Sequence, residues 1–208
     1  MAFATSHSGI DIPGSSAPAA VPHEHYLRLL AGMAQALAAK GYADTSIADI
    51  VREAAVSRRT FYEHFETKAD CLLALYAMAS QQALAALQGA VDLSRPWQDQ
   101  VETALTAYLD FLAQDPRLLK TLFVEILGCG LPGLRVRRQA NAQIAAFVQS
   151  ATADADGRTL PADMAMAVVG GINELILQTI EADASSGLRH LVGPATRLVI
   201  AVAGKGRT

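Results

Sequence analysis

The sequence predicts an all-α protein, a three-helix head followed by a body of roughly six helices. Three observations predict it. Hydrophobic residues make up 51% of the 208 residues and charged ones only 18%, with Ala and Leu abundant and β-branched runs short, a balance that favours helices. Apolar residues recur at i, i+3, i+4 and i+7 along most of the chain, the period of a helix with one buried face. Capping residues, Pro and Gly interrupt that pattern where helices would start and stop. A mean hydropathy of +0.24 is high for a soluble monomer and points to apolar surface hidden in an oligomer or around a pocket.

Residues 1–22 are rich in Ser, Ala, Pro and Gly, contain no Arg or Lys, and read as a disordered, inert tail. From about His23 to Lys40, Tyr26, Leu29, Leu30, Met33 and Leu37 mark an amphipathic helix closed by Gly41. His23-Glu24-His25 offers too few ligands for a metal and reads as a solvated terminus.

Thr45–Lys68 then forms two short helices joined by a tight turn. Ser46 caps the first and Asp49 answers three residues on, a capping box, while Ile47, Ile50, Val51 and Ala54 share one face. Ala55-Val56 makes the turn, and Ser57 is the N-cap of a second helix running from Arg58 to about Phe65. Phe61, Phe65 and Val56 point inward, leaving Arg59, Thr60, Tyr62 and His64 facing out. Arg58 and Arg59 occupy a first turn whose partial positive charge disfavours each by about 0.3–1 kcal/mol. A polyanion beside them reverses the sign of that cost. The pattern is a helix-turn-helix whose second helix enters the DNA major groove by its N-terminal end. The bland alternative is a helical hairpin in a core, with two solvated arginines.

Thr67-x-x-Asp70 opens the next helix with another capping box, with Lys68 in its first turn and a long stripe of Leu72, Leu73, Leu75, Tyr76, Ala79, Ala83 and Leu87. The body continues with a helix from Pro96, carrying Val101, Leu105, Tyr108, Leu109 and Leu112. Asp115-Pro116 ends that helix and starts another, which holds Leu119, Leu122, Phe123, Ile126 and Leu127 and closes at Gly128-Cys129-Gly130. A helix from about Leu131 to Ala153 comes next; Arg135, Arg137 and Arg138 are its solvated face, with contact to an anionic effector as the alternative. Asp154–Gly157 reads as a turn, not a calcium loop. The most apolar helix runs from Pro161 to Ala184, and its Gly170-Gly171 suits close approach across a subunit interface. A last helix near Leu188–Ala203 contains Pro194, which either kinks it or marks its start.

The segment Val56–Asp70, V-S-R-R-T-F-Y-E-H-F-E-T-K-A-D, preceded by T-S-I-A-D-I-V, resembles the DNA-binding signature of TetR/AcrR-type transcriptional regulators. The close match spans His23–Leu73 and departs at Ala55, where the family usually has Gly, and at Val51, usually Ala. The resemblance implies a ligand-responsive regulator, most often a repressor, that binds a palindromic operator in double-stranded DNA. It implies a homodimer through the last two helices, with recognition helices about 34–36 Å apart or slightly more. It places Tyr42 near a phosphate or in packing, and Lys68 on the DNA backbone. The head is then 23–68 and the ligand-binding, dimerising body 69–208.

On these grounds Arg58 or Arg59 reads guanine edges, and Thr60 meets a thymine methyl or a phosphate. Ser57, Tyr62, His64, Lys68, Thr45 and Ser46 complete the DNA-binding set, chiefly as backbone contacts. A small, largely apolar effector should lie in the body, with Tyr108, Phe111, Phe123, Phe147, Asn173, Glu174 and Gln178 as candidate lining. Asn173 and Glu174 interrupt an apolar helix, so they bind ligand or pair across the dimer.

Charge limits the DNA reading. The chain carries −3 at pH 7, and from Val21 to Asp70 six Arg or Lys face seven Asp or Glu, a net of −1. Binding must then depend on where charges point, with modest non-specific affinity. Cys71 and Cys129 read as reduced core thiols, and no cofactor, metal cluster or catalytic set stands out, so an enzyme is disfavoured. A carrier without DNA activity is the competing class. No run of about 18 apolar residues and no secretory signal is evident, which predicts a cytoplasmic protein away from membranes.

Overall fold

The computed structural model describes residues 20–92, 94–153, 159–182 and 185–205. The expected tail lies almost wholly outside them, as does the turn at Asp154–Gly157. Among the described residues there are nine α-helices and no strand: α1 (Ala20–Asp44), α2 (Ile47–Ala54), α3 (Arg58–His64), α4 (Lys68–Gly89), α5 (Trp97–Gln114), α6 (Pro116–Phe123), α7 (Leu131–Ala151), α8 (Ala162–Glu181) and α9 (Val192–Lys205).

The first three helices form a small head. Both expected capping boxes are present: Ser46 Oγ accepts from the Asp49 amide while the Asp49 carboxylate accepts from Ser46 N, and Thr67 does the same with Asp70. Leu29, Leu30, Met33, Ile50 and Phe61 are fully buried between the three helices. Gly32 permits their close approach, because a Cβ there would lie 2.6 Å from the Ile50 carbonyl oxygen and 2.9 Å from Ala54 Cβ. Gly41, at φ 72°, breaks the α1 helix where the sequence predicted.

α4 passes from the head into the body. It is long and apolar enough, by length and composition alone, to cross a membrane, although the sequence pattern predicted no such segment. Its stripe of Leu72, Leu75, Tyr76, Ala79, Ala83 and Leu87 is instead spent on the protein core. α5 lies at the centre of the body against α4, α6 and α9, burying Val101, Leu105, Tyr108, Leu109 and Leu112. Arg189 forks onto Asp110 of α5 at 2.6 and 2.7 Å and fixes the 3-10 turn Ser185–Leu191 that precedes α9.

One expectation needs correction. The helix from Pro116 does not reach Leu127; it breaks at Val124 (φ −118°, ψ −61°) into a 3-10 turn, Glu125–Cys129. That tighter turn sets Gly128 against the Tyr42 ring, where a Cβ would sit 2.6 Å from Cδ1. Gly171 meets Leu198 of α9 in the same chain, and Gly170 faces open space. Pro194 is the third residue of α9, in the first turn, where its missing N–H leaves no hydrogen bond unmade. It marks the start of the helix.

Candidate nucleic-acid interface and body cavity

The turn between α2 and α3 carries the head's unusual backbone. Ala55 is left-handed, at φ 50° and ψ 47°, and is the sole non-glycine with positive φ among the described residues. Arg28 supports it from α1, its Nε donating to the Ala54 carbonyl at 3.0 Å and its Nη2 to that of Ala55 at 2.6 Å. The last carbonyls of α2 thus receive a cation, the charge their dipole favours. Ser57 then caps α3 by accepting from the Thr60 amide at 3.0 Å, and its hydroxyl lies 2.9 Å from that of Thr60.

Buried Phe61 and Phe65 seat α3 on the head and turn its opposite face to solvent. Tyr62 is 59% exposed, and the Arg59 side chain 90% exposed. Arg58 is exposed and has no side-chain partner among the described residues. Arg59 Nε lies 3.2 Å from Glu63 Oε1 one turn on. That pair is in the weaker order for i,i+4 ions and stands in solvent, so it holds Arg59 only loosely. His64 is half-buried, edge-on to Tyr26 at 6.0 Å and beside Phe65, so packing accounts for much of its surface.

Two of the expected DNA contacts are placed differently. Thr45 is 2% exposed and its hydroxyl donates to the Gly41 carbonyl at 2.7 Å, so its side chain is not offered outward. Lys68 donates to the carbonyls of Tyr42, Ala43 and Thr45 at 2.9, 3.2 and 2.8 Å and lies 4.6 Å over the Tyr42 ring. The partial negative charge at the end of α1 offsets the cation in α4's first turn, without any phosphate. Ser46 is exposed, but both functions of its hydroxyl are taken by Asp49, from whose amide it accepts and to whose carboxylate it donates.

Asp49 organises the far side of the head. Its carboxylate receives Lys40 Nζ at 2.7 Å, Arg52 Nη1 at 3.0 Å, and the Ser46 amide and hydroxyl. The Lys40 bond, then the Ser46 bonds, hold it well below the usual carboxylate range. Since Arg28, Lys40, Arg52 and Lys68 are all engaged inside the head, Arg58 and Arg59 are its main outward cations.

Tyr42 joins head to body. Its amide donates to Glu125 Oε2 at 2.8 Å, its ring covers Gly128, and its hydroxyl lies near the Cys129 thiol. Burial, then the neighbouring thiol, pushes the phenol up to about 12. Burial also pushes the Cys71 thiol up to about 12, as expected of an inert core cysteine.

The body contains two small adjoining cavities, of about 50 and 20 Å³, meeting at Tyr108, Ile144 and Asn173. The larger is a narrow, apolar cleft between α5, α7 and α8 with Val101, Leu105, Phe147, Val148 and Val169 among its walls. The smaller holds the polar groups Ser80, Arg137 and Asn141, together with Phe123. Of the candidate lining, Tyr108, Phe147 and Asn173 reach the larger space, and Tyr108, Asn173 and Phe123 the smaller. Phe111 packs beside the core and lines neither. Glu174 and Gln178 are exposed on the outer face of α8, so they are not lining; Asn173 faces inward and donates to Asn141 Oδ1 at 3.3 Å within the chain. Sequence reasoning missed Arg28, Glu125 and Asn141, whose partners lie 26, 83 and 32 residues away.

Residues 29–75 match the model of the family "Bacterial regulatory proteins, tetR family". No curated protein matches the chain. Among solved structures, the transcriptional regulator FadR from Bacillus subtilis, in complex with stearoyl-CoA, is 16% identical, covers 85% of this chain and 98% of its own, and superposes with a TM-score of 0.73. The fatty acid degradation regulator FadR from Bacillus halodurans is 17% identical over 89% of this chain and 96% of its own, with a TM-score of 0.72. A tetR-family bacterial regulatory protein from Rhodococcus RHA1 is 19% identical over 86% and 96%, with a TM-score of 0.62. At these identities the likeness is one of fold, and it covers most of the chain, head and body together. Residues 29–75 are a helix-turn-helix segment that matches the tetR family of bacterial regulatory proteins, and the described chain has the fold of transcriptional regulators of that type.

Proposed function

We propose that this regulator is a repressor that acts in the cytoplasm, binds a palindromic operator as a homodimer and is released by a small, largely apolar effector. In this reading residues 23–68 read DNA, residues 69–208 bind the effector and dimerise through α8 and α9, and residues 1–22 are an inert tail. The observation that carries it is the seating of α3. Phe61 and Phe65 anchor the helix, and Arg58, Arg59 and Tyr62 are left on one outward face with little to hold them inside the protein. Arg58 and Arg59 supply the forks that recognise guanine edges, Thr60 meets a methyl or phosphate, and Ser57, Tyr62 and His64 fix register on the backbone.

The apolar cleft supports an apolar effector, and a relative of the same fold was solved with stearoyl-CoA, a long acyl chain. α4 supplies the lever. Lys68 at its start grips the end of α1, while Tyr76, Ser80 and Leu87 further along face the cavities. The helix of 22 residues is about 33 Å long, so a small tilt at the cavity displaces the head. Effector and DNA must then weaken each other by the same factor.

Gel shifts of the folded dimer on the DNA upstream of its own coding sequence, across salt concentrations, test this. A specific, salt-sensitive shift is expected, abolished in Arg59→Ala with dimerisation intact. A folded dimer with no specific shift at low salt would leave the carrier reading, which the net charge of −1 over Val21–Asp70 favours.

A further inference from the structure

The two body cavities form one elongated space whose ends differ in chemistry. In the larger end the polar groups other than Tyr108 are already satisfied. Gln100 Nε2 donates to the Arg95 carbonyl at 2.7 Å, and the Thr152 hydroxyl to that of Val148 at 2.7 Å. In the smaller end two strong donors are not. The Arg137 guanidinium is half-buried and lines the space without a hydrogen bond or ion pair among the described residues. The Tyr108 residue is 6% exposed, and its hydroxyl likewise has no hydrogen-bond partner among them.

Among the described residues no Asp or Glu lines either cavity, so the space they enclose carries one positive charge and no negative one. Arg135 and Arg138, on the same helix, are exposed to solvent, which singles out Arg137 as the cation turned inward. A guanidinium drawn out of water gains most from an anion, and its fork matches a carboxylate or phosphate. The α7 wall runs from Arg137 to Ala151, about 21 Å at 1.5 Å per residue. The residues that line the two cavities thus extend along α7 with the charge at one end.

On the basis of the effector role proposed for this space, we infer that the effector is a single-chain amphiphile with an anionic head. Its chain widens the narrow cleft between α5, α7 and α8, and its head lies on Arg137 and the Tyr108 hydroxyl. The Asn141–Asn173 pair stands between the two ends and holds the adjoining walls in register. A neutral apolar compound of the same length fills the cleft but leaves both donors unpaired, which is the basis of discrimination.

Calorimetry of the full chain with laurate, dodecyl phosphate and dodecanol tests this. Laurate or dodecyl phosphate should bind about ten- to a hundredfold more tightly than dodecanol, and the tighter of the two identifies the head as carboxylate or phosphate. Arg137→Gln should remove that margin while leaving dodecanol affinity and the melting temperature of the free protein unchanged. Arg137→Lys, which keeps the charge without the fork, should restore part of it. Equal affinity for all three probes in the unmodified protein, no binding of any, or a margin that survives Arg137→Gln overturns the proposal. Amphiphile binding that shows this pattern but leaves operator occupancy unchanged would remove the release function and keep the site. Operator binding without any amphiphile binding would do the reverse.

Discussion

Replacing Ala55 by Gly should stabilise the protein, although it deletes a methyl group. Ala55 is held at φ 50° and ψ 47° by the sharp turn between α2 and α3. An L-residue there sits about 1–2 kcal/mol above the right-handed helical conformation, because its Cβ crowds the following carbonyl. Glycine escapes that crowding but has more freedom to lose on folding, a cost of about 0.5–1 kcal/mol. Ala55 is exposed, so the lost methyl gives up little packing, and both Arg28 bonds end on main-chain oxygens that the substitution leaves in place. The net expectation is a gain of about 0.5–1 kcal/mol, or about 1–4 °C in melting temperature for a chain of this length. Ala54→Gly is the control. One residue earlier, buried and in a right-handed helix, it should cost about 1 kcal/mol. Differential scanning calorimetry of the three proteins reads the order Ala55→Gly, unmodified, Ala54→Gly. An Ala55→Gly protein that melts at or below the unmodified one would mean that the turn is not strained, and the account of Arg28 as its support would fall with it.

The head and its junction with the body give two further expected outcomes. The carboxyl of Asp49 is held below its ordinary value of 3.8, so it stabilises the folded state above that pH, and the contribution is lost as pH falls further towards the folded value. The melting temperatures of the unmodified protein and Asp49→Asn should therefore differ at pH 7 and converge below about pH 4; a gap of constant size across that range would refute the ionic role. Glu125→Gln keeps a neutral acceptor for the Tyr42 amide and loses the charge, which should weaken that bond by about 1 kcal/mol. The factor by which effector lowers operator affinity should shrink several-fold, with effector affinity for the free protein nearly unchanged, as titration of labelled operator would read.

What was legible in the sequence was local. Both capping boxes, the Ser57 cap, the Asp115-Pro116 boundary and the Phe61–Phe65 anchor each involve residues within four positions of one another, and each is found where the spacing placed it. The misplaced assignments depended on distant partners. Lys68 resembled a free cation at the wrong end of a helix because the carbonyls that hold it come from residues 23–26 positions away. Glu174 and Asn173 were equally conspicuous in an apolar helix, yet neighbours on a helix point about 100° apart, and only the packing of α7 on α8 selects Asn173. Arg137 shows the converse. Three arginines in four residues read as a solvated face, and one of them is turned to the cavity.

The attachments of head to body explain how a ligand could matter to DNA at all. Residues 41–45 are held from two sides, by Lys68 at the start of α4 and by Glu125 in the turn after α6. These two grips lead to different walls of the same space. α4 carries Tyr76 and Ser80 into the smaller cavity, and Glu125 lies between Phe123 and Arg137, which line it from the end of α6 and the start of α7. A ligand that moves α4 relative to the α6–α7 turn therefore shears the segment that both of them hold. That segment leads directly into Ser46 and the cap of α2, and α2 is joined to α3 by the rigid turn at Ala55. Rotation of the whole head, with its internal contacts kept, needs less rearrangement than bending it. On this reasoning, and with the homodimer proposed above, the recognition helix would change position without changing shape, and control would lie in the spacing between the two heads.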